Sequence, residues 1–345
     1  MMRNTRFISL ITVLLLIFFL LTGCGPLVEE DMSENESGEP IQPRTIKLGH
    51  VLNEQSCFQI AATKFKELVE QKTEGQIKVE ILPSGALGDE YSLLEGMQIG
   101  TVDMGIISNQ PIARFIPEIA ALEMPFLFAS AEEAYQILDG EVGQNLLKKL
   151  EAVNIKGLAF AERGYRNIIN GKRPVSGPAN LLGLKLATIA NQVNQDFFTT
   201  LGVNQISFDP NTIPSDLQEG KVDGQENYLD VINFNLFANQ KYFSLTNHVY
   251  SPAVIMMSKI VFDSFDEKTQ SILLEAASEA SEYERKWNEQ ELAAKLESFQ
   301  ELGIEVLTEI NTDAFSESVK PVYKKYQERY GQIIEEINKA KQREG

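Results

Sequence analysis

Hydrophobic and polar positions follow a strand–helix–strand rhythm that runs twice along the chain. The first run predicts a strand at Ile46–His50, a helix at about Ser56–Lys72, a strand at Ile77–Leu82, a helix at about Asp89–Ile99 and a strand at Val102–Ile107. The second predicts a strand at Leu184–Ile189, a helix at about Gln192–Leu201, a strand at Val203–Phe208, a helix at about Asn211–Glu219 and a strand at Val222–Asn227. Each run closes on the same pattern: Gln98-Ile99-Gly100-Thr101-Val102-Asp103 returns 120 positions later as Gln218-Glu219-Gly220-Lys221-Val222-Asp223. In both, a helix ends at a glycine, which tolerates the left-handed conformation of a helix stop, and a strand opens with Val-Asp. Strands alternating with helices through short loops mean parallel sheet covered by helices. Two such runs predict an α/β protein of two lobes, each a mostly parallel sheet flanked by helices. Ligands of such sheets sit at the carboxyl ends of the strands, here in the cleft between lobes.

One helical pattern is too long for a single lobe. From Asp266 to Leu302 there is no Gly or Pro, Gly303 is a natural stop, and Ser264 with Glu267 reads as a capping box. At 1.5 Å per residue this helix would reach about 55 Å, so it either breaks or runs along both lobes behind a hinge. Glu282, Glu284, Arg285 and Lys286 suit its exposed face. The segment at about Thr312–Ala340 is again helical and reads as mostly solvated.

The first residues carry an address. Arg3 and Arg6 precede Phe7–Leu21, fifteen residues without charge, and then Leu21-Thr22-Gly23-Cys24. A positive start, a short apolar stretch and small residues before a cleavage point make a secretory signal, because about 20 residues are needed to span a bilayer comfortably. Leu-Thr-Gly-Cys resembles the bacterial lipobox, which implies that Cys24 is acylated and becomes the first residue of the mature chain. Residues 24–43 are rich in Glu, Ser and Pro and read as a disordered acidic tether. Cys24 and Cys57 are the two cysteines, so lipidation of Cys24 leaves no disulfide within the chain, and Cys57 reads as a small buried residue. Loss of Arg3 and Arg6 with the signal moves the net charge from −18 to −20. That acidity excludes nucleic acid as a partner and means that an anionic ligand needs a local cationic clamp.

Four motifs occur in order: Pro83-Ser84-Gly85-Ala86-Leu87-Gly88-Asp89-Glu90, Pro125-Phe126-Leu127-Phe128, Leu182-Gly183-Leu184-Lys185 and Val222-Asp223-Gly224-Gln225-Glu226-Asn227. Together, over about residues 44–330, they resemble the DctP-type solute-binding proteins of tripartite ATP-independent periplasmic (TRAP) transporters. The resemblance implies a two-lobe binding protein with a long helix across both lobes, closing over a small organic acid. It implies delivery of that ligand to a permease of one small and one large membrane subunit, driven by an ion gradient. It implies a monomer without cofactor, metal or covalent chemistry, lipid-anchored on the extracytoplasmic side. The lobes would be residues 44–165 with about 250–283, and residues 166–249 with about 284–345.

Gly164-Tyr165-Arg166 resembles the family's Gly-x-Arg, which implies that Arg166 faces the cleft and binds ligand. The family's main carboxylate clamp is an arginine two residues after the Lys of Gly-Leu-Lys, and here that position is Ala187. Thr212 stands where the family usually has Glu, and Tyr228 where it has the Pro after Asn227. A bidentate guanidinium normally recognises a carboxylate and alanine cannot. The expected ligand is therefore a monocarboxylate gripped by Arg166, or a neutral hydroxylated molecule. Asn227 joins Arg166 as a hydrogen-bonding candidate, with Tyr228 beside it, while Asp223, Gly224 and Glu226 read as structural. Asn191 and Asn194 either cap the next helix or offer amides to a hydroxylated ligand. His50 either faces the cleft or is satisfied structurally, Asn109 follows a strand end, Arg163 either assists Arg166 or is an exposed surface cation, and His248 has nothing specific nearby. Two histidines, no Gly-x-Ser-x-Gly and no His-Glu-x-x-His argue against a hydrolase. A carboxylate-pair glycosidase and a ligand-sensing lobe for a membrane receptor stand as rivals.

Overall fold

The computed structural model describes residues 43–229, 231–232 and 239–344. The signal, Cys24 and the tether lie outside them. The strands are β1 (Arg44–Gly49), β2 (Ile77–Leu82), β3 (Met104–Ser108), β4 (Ile155–Asn170), β5 (Lys185–Thr188), β6 (Asn204–Ser207), β7 (Gly224–Tyr228), β8 (Tyr242–Ser258) and β9 (Glu305–Leu307). The helices are α1 (Cys57–Lys72), α2 (Glu90–Ile99), α3 (Asn109–Ile112), α4 (Ala131–Asp139), α5 (Glu141–Lys149), α6 (Gln192–Thr200), α7 (Ile213–Gln218), α8 (Lys259–Phe262), α9 (Glu267–Glu301), α10 (Thr312–Ser318) and α11 (Lys320–Glu344).

Two parallel trios, β2-β1-β3 and β7-β5-β6, form the hearts of the two lobes. They are joined through β8 and β4 into one sheet of order β2-β1-β3-β8-β4-β7-β5-β6, with β9 on β8. The joining strands are 16 and 17 residues long, antiparallel to each other and to the trios they meet. Their register slips at Gly157/Ala159, Glu162/Gly164 and Arg166/Ile168. Such bulges bend a strand and sharpen its twist.

The sequence repeat has one structural meaning in both lobes. Gly100 and Gly220 both take positive φ, 77° and 70°. Thr101 and Val102 both donate backbone N–H to Gly96 O, just as Lys221 and Val222 donate to Asp216 O. Asp103 Oδ2 then accepts Lys47 N at 2.9 Å, and Asp223 Oδ2 accepts Lys185 N at 2.9 Å. Each aspartate thus satisfies an amide of the neighbouring parallel strand.

Helix α1 starts at Ser56, whose hydroxyl accepts Gln59 N, and buries Phe58, Ala61, Ala62, Phe65, Leu68 and Val69. Cys57 is buried among them. The long helix is continuous over 35 residues, about 52 Å at the standard rise. Its cap is Asp266, which accepts Thr269 N at 2.8 Å, rather than Ser264. The Ser264 hydroxyl instead donates to Val261 O and accepts from Arg44.

Helix α11 is exposed along more than half of its length, as expected, while Val322, Tyr326, Tyr330, Ile333, Ile334 and Ile337 pack into the core beside α4 and α5. One expectation about helix faces is overturned. On α9, Glu284 and Arg285 are buried against β4 and α4 instead of exposed. Arg285 grips Asp139 through two bonds of 2.6 and 2.9 Å, donates to Phe160 O at 2.8 Å and lies 4.4 Å from the Tyr135 ring centre. Glu284 accepts Glu162 N at 3.2 Å. Asn288 donates to Glu162 at 2.8 Å and to Glu284 at 2.5 Å, and Tyr135 OH donates to Glu162 at 2.8 Å. Two buried carboxyls from different elements therefore share amide and phenol donors, while the nearby cation is taken by Asp139. Burial pushes both carboxyls up, and the charge of Glu162 raises Glu284 further.

Candidate functional site

Parallel strands end in polar residues where the two trios face the β4–β8 ribbon. His50 follows β1, Asn109 follows β3, and Asn227 and Tyr228 close β7. Arg166 lies on β4 between two of the bulges, and His248 and Ser251 lie on β8. All except Tyr228, which is half-buried, are less than a tenth exposed.

Arg166 is the centre of this cluster. Its Nε donates to Glu226 Oε2 at 2.6 Å and its Nη2 to Glu226 O at 3.1 Å, while Nη1 has no hydrogen-bond partner. Its guanidinium carbon lies 4.4 Å from the centre of the Tyr228 ring. Burial alone would lower its proton affinity, but Glu226 outweighs burial and holds the guanidinium charged. Burial likewise opposes ionisation of Glu226, yet Arg166 and His248 prevail and hold its carboxyl at about 2. Glu226 Oε1 also accepts Ile189 N at 2.9 Å and Asn194 Nδ2 at 2.8 Å, so this carboxylate ties β5 and α6 to the arginine. His248 Nε2 approaches Glu226 at 3.4 Å, a loose contact, and its ring stacks on Phe197. Burial pushes His248 toward the neutral form despite that carboxylate.

The other candidates divide by how far local bonds occupy them. Asn191 caps α6, its Oδ1 accepting Asn194 N at 2.8 Å. Asn227 accepts Tyr228 N at 3.0 Å and reaches Gln225 at 3.4 Å. Tyr228 OH donates to Ser251 Oγ at 2.9 Å. His50 Nε2 meets Gln59 Oε1 at 3.0 Å, with Nδ1 unpartnered, and burial favours its neutral form. Asn109 Nδ2 donates to Ile119 O at 3.0 Å and Asn194 Nδ2 to Glu226, leaving both Oδ1 atoms buried without a partner. Ala187 is fully buried in an apolar patch with Ile213, Leu217 and Val222.

Two sequence readings are corrected here: His248 lies beside the Arg166–Glu226 pair, and Arg163 is half-buried, over the Tyr228 ring at 4.6 Å. Glu226 keeps the structural part read for it, as the partner of Arg166. Glu123 and Gln225 also belong to this polar region and were not singled out in the sequence. A cavity of about 510 Å³ adjoins the cluster, lined by Arg163, Asn167, Asn247, Tyr135, Glu162 and Trp287 among others. The seven candidates lie outside its wall. Among the described residues no group of His, Cys, Asp and Glu could hold a metal ion, and no helix is long and apolar enough to cross a membrane.

Two α/β lobes on one bent sheet, with a buried charged cluster at the strand ends, define a solute-binding protein of the periplasmic type. The chain belongs to the DctP family, bacterial extracellular solute-binding protein family 7, whose profile it matches over residues 48–329. It is 32% identical over 284 residues to the 2,3-diketo-L-gulonate-binding periplasmic protein YiaO of Escherichia coli, covering 82% of this chain and 87% of that one. The TRAP periplasmic solute-binding protein of Ochrobactrum anthropi, with a C-terminus bound in its ligand pocket, superposes with a TM-score of 0.84 at 32% identity, covering 88% of this chain and 96% of that one. The sugar acid binding protein of Advenella mimigardefordensis in complex with galactonate gives 0.77 at 32% identity, covering 88% of this chain and all (100%) of that one.

Proposed function

We propose that this protein captures a small polyhydroxylated monocarboxylate between its lobes and delivers it to the small and large membrane subunits of a TRAP permease. The observation that carries this reading is the chemistry of the unpartnered buried atoms. Arg166 Nη1 is a charged donor suited to one carboxylate, and Asn109 Oδ1 and Asn194 Oδ1 are acceptors suited to ligand hydroxyls. A neutral polyol would leave the guanidinium donor facing a weaker partner. Arg166, Asn109, Asn194 and Tyr228 are the proposed ligand contacts, with buried His50 a further candidate through its unpartnered Nδ1. Asn191 and Asn227 are proposed to position the others through their local bonds.

The remaining assignments follow the same reading. Residues 44–165 with about 250–283 form lobe 1, and 166–249 with about 284–345 form lobe 2. Acylated Cys24 holds the protein on the outer face of a membrane, as a monomer on an acidic tether. A thermal-shift screen of four- to six-carbon hydroxy acids, followed by calorimetry on the hits, tests the reading. Stabilisation by aldonates and not by the matching polyols is expected. Stabilisation by polyols alone would overturn it.

A further inference from the structure

The acid-binding reading gives no role to the buried carboxyl of Glu123. Glu123 ends the 3-10 turn Pro117–Glu123 and is 4% exposed. Gln110 Nε2 donates to its carboxylate, and Ser251 and Asn109 add polar contacts. These partners are amides and a hydroxyl rather than cations. Ser251 also accepts Tyr228 OH, and the Tyr228 ring lies under the Arg166 guanidinium. The ionisable groups that act on Glu123 and on which it acts are Arg166 from β4, Tyr228 from β7 and Tyr330 from α11. Arg166 is the cation of that set, and Glu226 already occupies two of its nitrogens.

We propose that Glu123 sets the specificity of this site, admitting acids with one carboxylate and rejecting those with two. The inference rests on the acid-binding reading. One ligand carboxylate can use Arg166 Nη1. A second carboxylate placed beside Asn109 and Ser251 meets Glu123 there, and two anions in surroundings of low polarity repel strongly. A hydroxyl in the same place can donate to Asn109 Oδ1 or to Glu123 itself. Burial pushes the Glu123 carboxyl up. Rejection therefore strengthens as pH rises and this group ionises, and binding of an anion draws a proton onto it.

Matched acid pairs test this, galactonate with galactarate and erythronate with meso-tartrate, in which a terminal CH2OH is replaced by carboxylate. Calorimetric titration of the detergent-solubilised full-length protein should favour the monocarboxylate by at least about tenfold. The ratio should grow as pH rises and the Glu123 carboxyl ionises. In Glu123→Gln the ratio should fall by about tenfold and lose its pH dependence. Titrating the unaltered protein in buffers of different ionisation enthalpy should show proton uptake on monocarboxylate binding, which needs no variant. Equal affinity for both members of a pair, an unchanged ratio in Glu123→Gln, or no proton uptake overturns the inference and leaves acid binding intact. Binding of none of the four acids overturns both.

Discussion

Glu284→Gln should make the protein more heat-stable at neutral pH, although it removes a buried, hydrogen-bonded group. In the folded protein Glu162 and Glu284 sit together in the core with Asn288 and Tyr135 as shared donors, and both carboxyls are pushed up. A carboxyl raised by folding holds its proton above the pH at which the unfolded chain, near an ordinary pKa of about 4.3, has released it. In that window the folded state binds more protons than the unfolded state, so stability is full below about pH 4 and is lost as pH rises. One retained proton changes stability by about 1.4 kcal/mol per pH unit. Roughly 300 folded residues carry an unfolding entropy of about 0.6 kcal/mol per kelvin, so the melting temperature should move by about 2 °C per pH unit. Gln in place of Glu284 mimics the protonated acid and removes this slope. Calorimetric melting of both proteins from about pH 5 to about pH 8 should show curves that meet at the acid end, with the variant higher by several degrees at the other. Glu162→Gln should act in the same direction, and the double variant should flatten the slope further, because burial raises each carboxyl on its own. Parallel curves, or a variant equally weaker at every pH, would refute the account of carboxyls raised by burial.

Three further outcomes follow from the site and the chain's start. Arg166→Ala should weaken aldonate binding by one to two decades, since a charge-assisted bond contributes about 1.5–3 kcal/mol. It should also lower stability by about 3–5 kcal/mol by stranding Glu226, and calorimetry with melting curves separates the two effects. Because Glu226 is held at about 2, its contribution is present above the usual carboxylate range and fades as pH falls toward 2; the variant should lack this acid sensitivity. Mature protein should begin at Cys24 and partition into detergent, and Cys24→Ala should be released or remain unprocessed; a fully soluble unaltered protein with unmodified Cys24 would sink the anchor. Small-angle scattering should show a smaller radius at saturating aldonate, and no change would count against closure.

The parallel trios were legible because each strand is short, alternates or runs apolar, and ends at a helix with its own cap. The ribbon that joins them was not. Strand β4 carries Glu162-Arg163-Gly164 in its middle and β8 carries Pro252, features that read as turns, yet the structure uses these positions at a register slip. Arg166 was legible from its motif, whereas its partner Glu226 lies 60 residues away and only folding brings them together. The same distance effect hid His248. The run Asp-Gly-Gln-Glu-Asn could have flagged Glu226, since a carboxylate beside a gripping arginine is a natural partner. Glu284 and Arg285 read as surface because charged neighbours on a helix usually are. What buries them is a strand edge more than a hundred residues earlier.

The β4–β8 ribbon is a leaf spring rather than a pair of flexible connectors. Its ladder of hydrogen bonds runs unbroken from one lobe to the other apart from the slips, so lobe movement must twist sheet instead of swinging on loose chain. The slips at Glu162/Gly164 and Arg166/Ile168 concentrate that twist on either side of Arg166. The arginine therefore rides on the axle, displaced less than any group farther out on either lobe. On the proposed function, a carboxylate arriving in the open protein would find this guanidinium already in place, and one leaving would part from it last. Arg166 would then govern the rate of capture as well as its strength, and groups farther out on the lobes would decide how long the solute stays.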